Sequence, residues 1–284
     1  MDVELRHLRS LVAVVDAGSF TDAAIELGIS QAAVSRNIAA LERTLGVRLL
    51  HRTTRSVELT IVGERVIQRA RRTLSAVTDL RHAALVGNEI LRIGYAWSAL
   101  GKYTPEFQRQ WAAAFPHSEL RLNRTNTPTA GLHEGTSDLA ILRRLPLTHR
   151  LEVFVIGEEK RYCAMTAGHR LAGRRSVTLA QVAACPLAVD RRTGSTQLDL
   201  WPKDNRPAEV VETDDVDDWL TVIGSGQALG VTAESTAHQY RRSGLVYRPV
   251  RDAPPAPVYA AWNEGEPPAG HQAVLALLRN LYPS

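Results

Sequence analysis

Leu5, Leu8, Leu11, Val12 and Val15 recur at helical spacing and predict a first helix that ends near Gly18. Ser19 or Thr21 can cap a second helix, whose core face is Ala23, Ala24 and Leu27. Gly28 supplies the permissive backbone of a turn, Ile29 plugs the core, and Ser30 caps a third helix with Val34, Ile38, Leu41 and Leu45 inward. Gln31, Ser35 and Arg36 then face outward from the N-terminal half of that helix. Two short helices joined by a tight turn, the second with a small polar outer face, form a helix-turn-helix layout that can enter a DNA major groove. Glutamine can read adenine, and arginine can read guanine or grip phosphate. Gly46 ends the helix, and residues 47–50 and 57–59 alternate as two strands of a wing. Arg52, Thr54 and Arg55 in that wing are expected on the DNA backbone or in the minor groove.

Thr60 caps a long helix with Glu64 in its first turn. Val62, Val66, Ala70, Leu74, Val77 and then Leu80 or Ala84 make one narrow seam on it, and Gly87 is its expected stop. Nothing in the N-terminal module looks large enough to cover this seam, so pairing with the same helix of a second copy is expected. After Gly87 the pattern changes to short apolar strands alternating with helices. Strands are predicted at 91–95, 119–122 and 138–142, with helices at 105–115 and 129–135 between them, which implies a parallel sheet. A second set follows, with strands near 161–165, 187–189, 210–212 and 231 and helices at 178–184 and 219–224. The strand at 258–262 and a helix at 271–281 return the chain toward the first set. Open α/β sheets take ligands at the carboxyl ends of their strands. Those ends carry Trp97, Ser98, Thr125, Asn126 and Arg143 in the first set, and Arg191, Thr193 and Thr232 in the second. Hydroxyls plus arginines suit a carboxylate or another small anion.

Charge sharpens the picture. The net charge is +4, but residues 36–72 hold nine arginines against three glutamates, +6, so the rest of the chain sums to −2. Positive charge gathered beside a helix-turn-helix is the footprint of phosphate binding. The chain has 284 residues, room for about two domains. No apolar run is long enough to span a bilayer, and the acidic start Met1-Asp2-Val3-Glu4 is no signal peptide, so a cytoplasmic protein without membrane partners is expected. Cys163 and Cys185 are isolated and read as small buried hydrophobes. Catalysis finds little support. Gly224-x-Gly226-x-x-x-Gly230 follows a helix rather than a strand, His133-Glu134 is a lone pair, and the nine histidines lack ligand spacing. No enzyme activity, metal or cofactor is expected. A solute-binding transport protein is disfavoured by the attached DNA module.

Several motifs carry a specific resemblance. Ser30-Gln31-x-Ala33-Val34-Ser35-Arg36, Leu41-Glu42-x-x-Leu45-Gly46-Val47-x-Leu49, Arg52-x-x-Arg55 and Leu59-Thr60-x-x-Gly63 resemble the signature of LysR-type transcriptional regulators. Weaker matches are Leu91-Arg92-Ile93-Gly94, Gly135-x-x-Asp138-Leu139-Ala140-Ile141, His169-x-Leu171-Ala172 and Gly226-x-x-x-Gly230-Val231. Departures are Ala32, where the family often has proline, Leu50-His51, and Thr232-Ala233-Glu234 in place of a proline. The resemblance implies an α/β protein overall. Residues 1–60 would be a mostly α winged helix-turn-helix, 61–88 a linker helix for dimerisation, and 89–284 a two-lobed effector domain like a small periplasmic binding protein. Lobe I would span about 89–157 and 263–284, lobe II about 158–262. The resemblance also implies a homodimer or homotetramer on partly palindromic, double-stranded promoter DNA. It further implies a small effector between the lobes, contacted at Ser98, Thr125 and Arg143, whose binding rearranges the oligomer and changes either DNA bending or recruitment of RNA polymerase. The alternative is a DNA-binding regulator whose C-terminal domain only oligomerises.

Overall fold

The structure, a computed structural model, describes residues 2–52, 57–86, 89–146 and 150–282. Residues 1–89 with the short stretch 133–136 make one compact unit, and the remaining residues a second.

The first unit holds helices α1 (Leu5–Ala17), α2 (Phe20–Leu27) and α3 (Gln31–Leu45), the strands β1 (Leu50–Arg52) and β2 (Val57–Leu59), and helix α4 (Ile61–Val86). Ser19 Oγ accepts the Asp22 N–H at 3.0 Å and Ser30 Oγ the Ala33 N–H at 3.2 Å, so both serines cap as the sequence predicts. Gly28 closes α2 in the left-handed conformation, φ +65°, which an L side chain rarely adopts. Leu11, Val14, Ala23, Val34, Ile38 and Leu41 form the core. Two expected core residues lie outside it: Ile29 and Leu45, each next to a left-handed glycine that ends a helix (Gly28 and Gly46), are 40% and 38% exposed. The first wing strand begins at Leu50 rather than Val47. The reason is Glu42, whose buried carboxylate takes the N–H groups of Leu49 (2.8 Å) and Leu50 (3.3 Å) and fastens that segment to α3.

Thr60 caps α4, its Oγ1 accepting the Gly63 N–H at 2.9 Å. Gly63 is required there, since a Cβ would stand 2.1 Å from the Leu49 carbonyl oxygen. Ile67 and Ala70 are buried in the same core as α1, and Asp16 pairs with Arg71. The front half of the seam is therefore covered within the unit, contrary to expectation, whereas Leu80 further along is 70% exposed. Gly87 lies outside the described residues.

In the second unit, β3 (Glu89–Tyr95), β4 (Ser118–Arg124), β5 (Leu139–Leu142), β6 (Leu151–Glu159) and β12 (Ala256–Asn263) form one sheet in the order β4-β3-β5-β12-β6. A second sheet joins β7 (Arg161–Thr166), β8 (Leu187–Val189), β9 (Val210–Glu212), β10 (Leu229–Ala233) and β11 (Leu245–Pro249) in the order β11-β7-β10-β8-β9. Helices α5 (Thr104–Ala114) and α9 (His271–Leu281) pack on the first sheet around Phe107, Trp111, Trp262 and Leu278. Helices α6 (Leu179–Ala183), α7 (Val216–Gly224) and α8 (Glu234–Gln239) belong to the second, where Met165, Val182 and Trp201 share one cluster and Trp219 anchors another.

The sheets are mixed, not parallel throughout. β3 runs parallel to β5, but β12 is antiparallel to β5 and β6. Because β12 sits inside the first sheet, lobe II ends before Ala256 rather than at 262. Residues 129–135 form turns, not a helix, with Ala130, Gly131 and Gly135 all at positive φ. β6, β11 and α8 had no counterpart in the sequence reading.

Candidate nucleic-acid interface and ligand cleft

On α3, Val34, Ile38, Leu41 and Glu42 are buried, while Gln31 and Arg36 are exposed and Ser35 half-buried. Gln31, Ser35 and Arg36 make no side-chain hydrogen bond or ion pair among the described residues. Ser30, at the cap, keeps its hydroxyl proton free to donate outward. Their polar groups are thus displayed on the first turns of a helix whose other face is locked in the core. Arg52 lies at the end of β1, opposite Val57. Thr54 and Arg55 fall outside the described residues.

Between the two sheets of the second unit lies a cavity of about 240 Å³. Trp97, Ser98, Arg143, Arg191 and Thr193 line it, as the strand-end argument predicts. Three other expected residues do not. Thr125 stands in the chain just past β4, its N–H tied to the Tyr95 carbonyl oxygen. Asn126 is consumed between the lobes, donating to the Asp214 carbonyl at 3.0 Å and accepting from the Thr193 hydroxyl at 2.7 Å. Thr232 is sealed inside β10, with no exposed surface and its Oγ1 without a partner. Polar residues missed by the sequence reading are Thr127, Arg144, Arg192, Ser195 and Thr236, which also line the cavity, as do apolar residues such as Ile141 and Leu145. Arg144 and Arg192 directly follow or adjoin residues that were identified, so the doublets Arg143-Arg144 and Arg191-Arg192 were a usable signal.

Most polar groups expected to meet a ligand are already engaged. Trp97 Nε1 donates to Thr193 Oγ1 (2.9 Å) and to Asp190 (3.2 Å) across the lobes. Asp190, buried and unforeseen, also accepts the N–H groups of Arg192 and Thr193 and so shapes the loop that carries them. Ser98 Oγ donates to Ser235 Oγ at 2.8 Å. Arg143 gives one nitrogen to the Ser98 carbonyl (2.6 Å) and another to Glu159 (2.7 Å), both side chains of the pair being buried. The Glu159 carboxylate further accepts the Ser235 N–H (3.0 Å) and the Tyr282 hydroxyl (3.1 Å). Burial alone would raise the Glu159 carboxyl, but the Arg143 charge and these hydrogen bonds outweigh it and hold the group below the usual carboxylate range. Burial pushes the Tyr282 phenol up.

Among the described residues no helix is long and apolar enough to cross a membrane, and no cluster of histidine, cysteine and carboxylate residues could hold a metal ion. Cys163 is buried, its thiol pushed up to about 12 by desolvation. Cys185 is less buried than expected: it packs half-buried against the cluster around Met165, Val182 and Trp201, with Sγ 3.9 Å from His169 Nε2.

Residues 5–64 match the model of the bacterial regulatory helix-turn-helix protein, lysR family, and residues 87–283 that of the LysR substrate binding domain. An HTH-type transcriptional regulator of Escherichia coli, YnfL, is 36% identical over 82% of this chain and 82% of its own length. The SDS degradation transcriptional activation protein of a Pseudomonas species is 33% identical over 82% of this chain and 73% of its own. Among solved structures, the LysR family regulator CbnR is 23% identical with a TM-score of 0.72, covering 99% of this chain and all of that one. CbnR bound to its target DNA gives a TM-score of 0.65 at 23% identity, covering 98% of each chain.

Proposed function

The chain belongs to the LysR family of bacterial transcriptional regulators, a DNA-binding regulator rather than an enzyme, and from that premise we propose how it works. Gln31, Ser35 and Arg36 read base edges in a partly palindromic promoter site, and Ser30, Arg52, Thr54 and Arg55 hold the phosphate backbone. The observation that carries this is the display of three uncommitted polar side chains on the first turns of a helix otherwise fixed in the core. We take residues 1–60 as the reading module, 61–88 as the linker helix and 89–284 as the effector domain, acting in the cytoplasm as a homodimer or homotetramer. The exposed Leu80 supports pairing through the rear half of α4. A small anionic molecule occupies the cleft and changes how the oligomer sits on DNA, and with it the recruitment of RNA polymerase. The arginine-rich cavity favours this over a domain that only oligomerises.

The test is a gel-shift series over a range of salt on duplexes selected in vitro by the full-length protein. Arg36→Ala should weaken specific binding by about 1–3 kcal/mol if it reads a base, or lower the salt slope by about one if it holds a phosphate. Unchanged binding and slope in a folded variant would remove Arg36 from the interface.

A further inference from the structure

Among the described residues, the cavity is lined by four arginines and no acidic residue. The four are not equivalent. Arg143 has its charge matched by buried Glu159 at 2.7 Å, with the Ser98 carbonyl taking a second nitrogen and Nε alone lacking a partner among the described residues. Arg191 pairs with Glu212 at 2.8 Å, both side chains being exposed. Among the described residues, Arg144 and Arg192 have carbonyl partners only: Arg144 donates to the Arg191 carbonyl at 2.7 Å and Arg192 to that of Asp214 at 3.4 Å. A carbonyl satisfies a donor without neutralising its charge. These are therefore the cations of the cavity that lack a carboxylate, and they come from opposite lobes, Arg144 just after β5 and Arg192 just after β8.

A second observation points the same way. The hydroxyl of Ser195, also in the lining, is buried without a hydrogen-bond partner. An orphaned donor in the same lining as two guanidiniums without a carboxylate suits an acceptor with two oxygens. The same lining carries apolar surface from Trp97, Ile141, Leu142 and Leu145. At about 240 Å³ the space is below the roughly 300–1,000 Å³ of clefts for drug-sized ligands, so the occupant is compact.

We propose that the cleft holds a small monocarboxylate with an apolar body, its carboxylate clamped between Arg144 of one lobe and Arg192 of the other, while Glu159 withholds Arg143 from it. This rests on the reading of the cleft as an effector site and names the chemistry of that site. A ligand held by one guanidinium from each lobe also links the lobes directly, which is what a signal carried by their relative position requires.

The test titrates the full-length protein with phenylacetate, with its uncharged counterpart phenylacetamide and with cationic phenethylamine at millimolar concentration, following thermal shift and calorimetry. Phenylacetate should bind best. Arg144→Gln and Arg192→Gln should each weaken it by about ten- to a hundredfold, the loss of one charge-assisted contact, and leave phenylacetamide unaffected. Both arginines are at the rim rather than in the core, so both variants should fold. Glu159→Gln, where the protein remains folded, should tighten phenylacetate by releasing the Arg143 charge. Carboxylate binding that survives both arginine substitutions, or a weakened Glu159→Gln protein, overturns this assignment and leaves the effector site standing. A preference for phenethylamine overturns the anion chemistry, and binding by none of the three overturns the effector reading as well.

Discussion

Two buried glutamates show what single residues do in this chain, and neither announces itself by composition. Glu42 sits in a family-like motif, yet its work is structural: it satisfies two backbone N–H groups at the root of the wing. Leaving a buried donor unmade costs about 1–3 kcal/mol, so Glu42→Ala should destabilise the first unit by about 2–4 kcal/mol in urea unfolding. A loss well under 1 kcal/mol would mean that water replaces the carboxylate. Glu159 is held ionised by Arg143. A carboxyl with a lowered folded pKa contributes stability that is complete above the ordinary glutamate value, about 4.3, and disappears as pH falls through the folded value. The second unit should therefore lose stability on the acid side, and Glu159→Gln should flatten that limb of a urea-midpoint profile against pH. An unchanged limb would place the acid sensitivity elsewhere. At the cysteines, iodoacetamide should label half-exposed Cys185 in the native protein and reach buried Cys163 only after unfolding. Equal labelling of both in the native state would contradict the burial. Residues with a local signature, such as the capping serines and the outward trio of α3, were legible in the sequence. Partners distant in the chain were not: Asn126 looks like a ligand contact until Thr193, 67 positions away, is placed against it.

At the scale of elements, local pattern was read well and closure poorly. The helices of the first unit follow from periodicity, caps and glycines. The wing strand shifted because a carboxylate on the preceding helix, not the strand's own alternation, decides where pairing begins. β12 looks like a strand from its sequence, but nothing local says that it inserts between β5 and β6. Likewise the seam of α4 is visible, whereas its division between α1 and the outside is a tertiary fact. Gly63 marks the tightest approach in the first unit. Gly63→Ala would drive a methyl to 2.1 Å from a backbone oxygen, so α4 must shift from the wing root. The expected result is a lower midpoint of unfolding and weaker DNA binding, because the wing is carried on that root. Retained stability and affinity would show that α4 moves at no cost.

At the scale of the whole molecule, a DNA-reading unit and a proposed ligand-holding unit share one chain, and the helix α4 between them carries Leu80, 70% exposed, as the proposed contact with a second copy. Leu80→Glu should then shift the sedimentation profile toward monomer and lower apparent affinity for a two-half-site duplex, while leaving binding to a single half-site close to unchanged. Monomeric wild-type protein at the same concentration would contradict pairing through α4. The measurement that bears most directly on the central claim is in vitro selection of DNA by the full-length protein, followed by binding titrations on the enriched duplex and a scrambled one at several salt concentrations. The account predicts enrichment of a partly palindromic sequence, bound far more tightly than its scramble and with a steep loss of affinity as salt rises. No enrichment, or equal binding to both duplexes at every salt concentration, would contradict it.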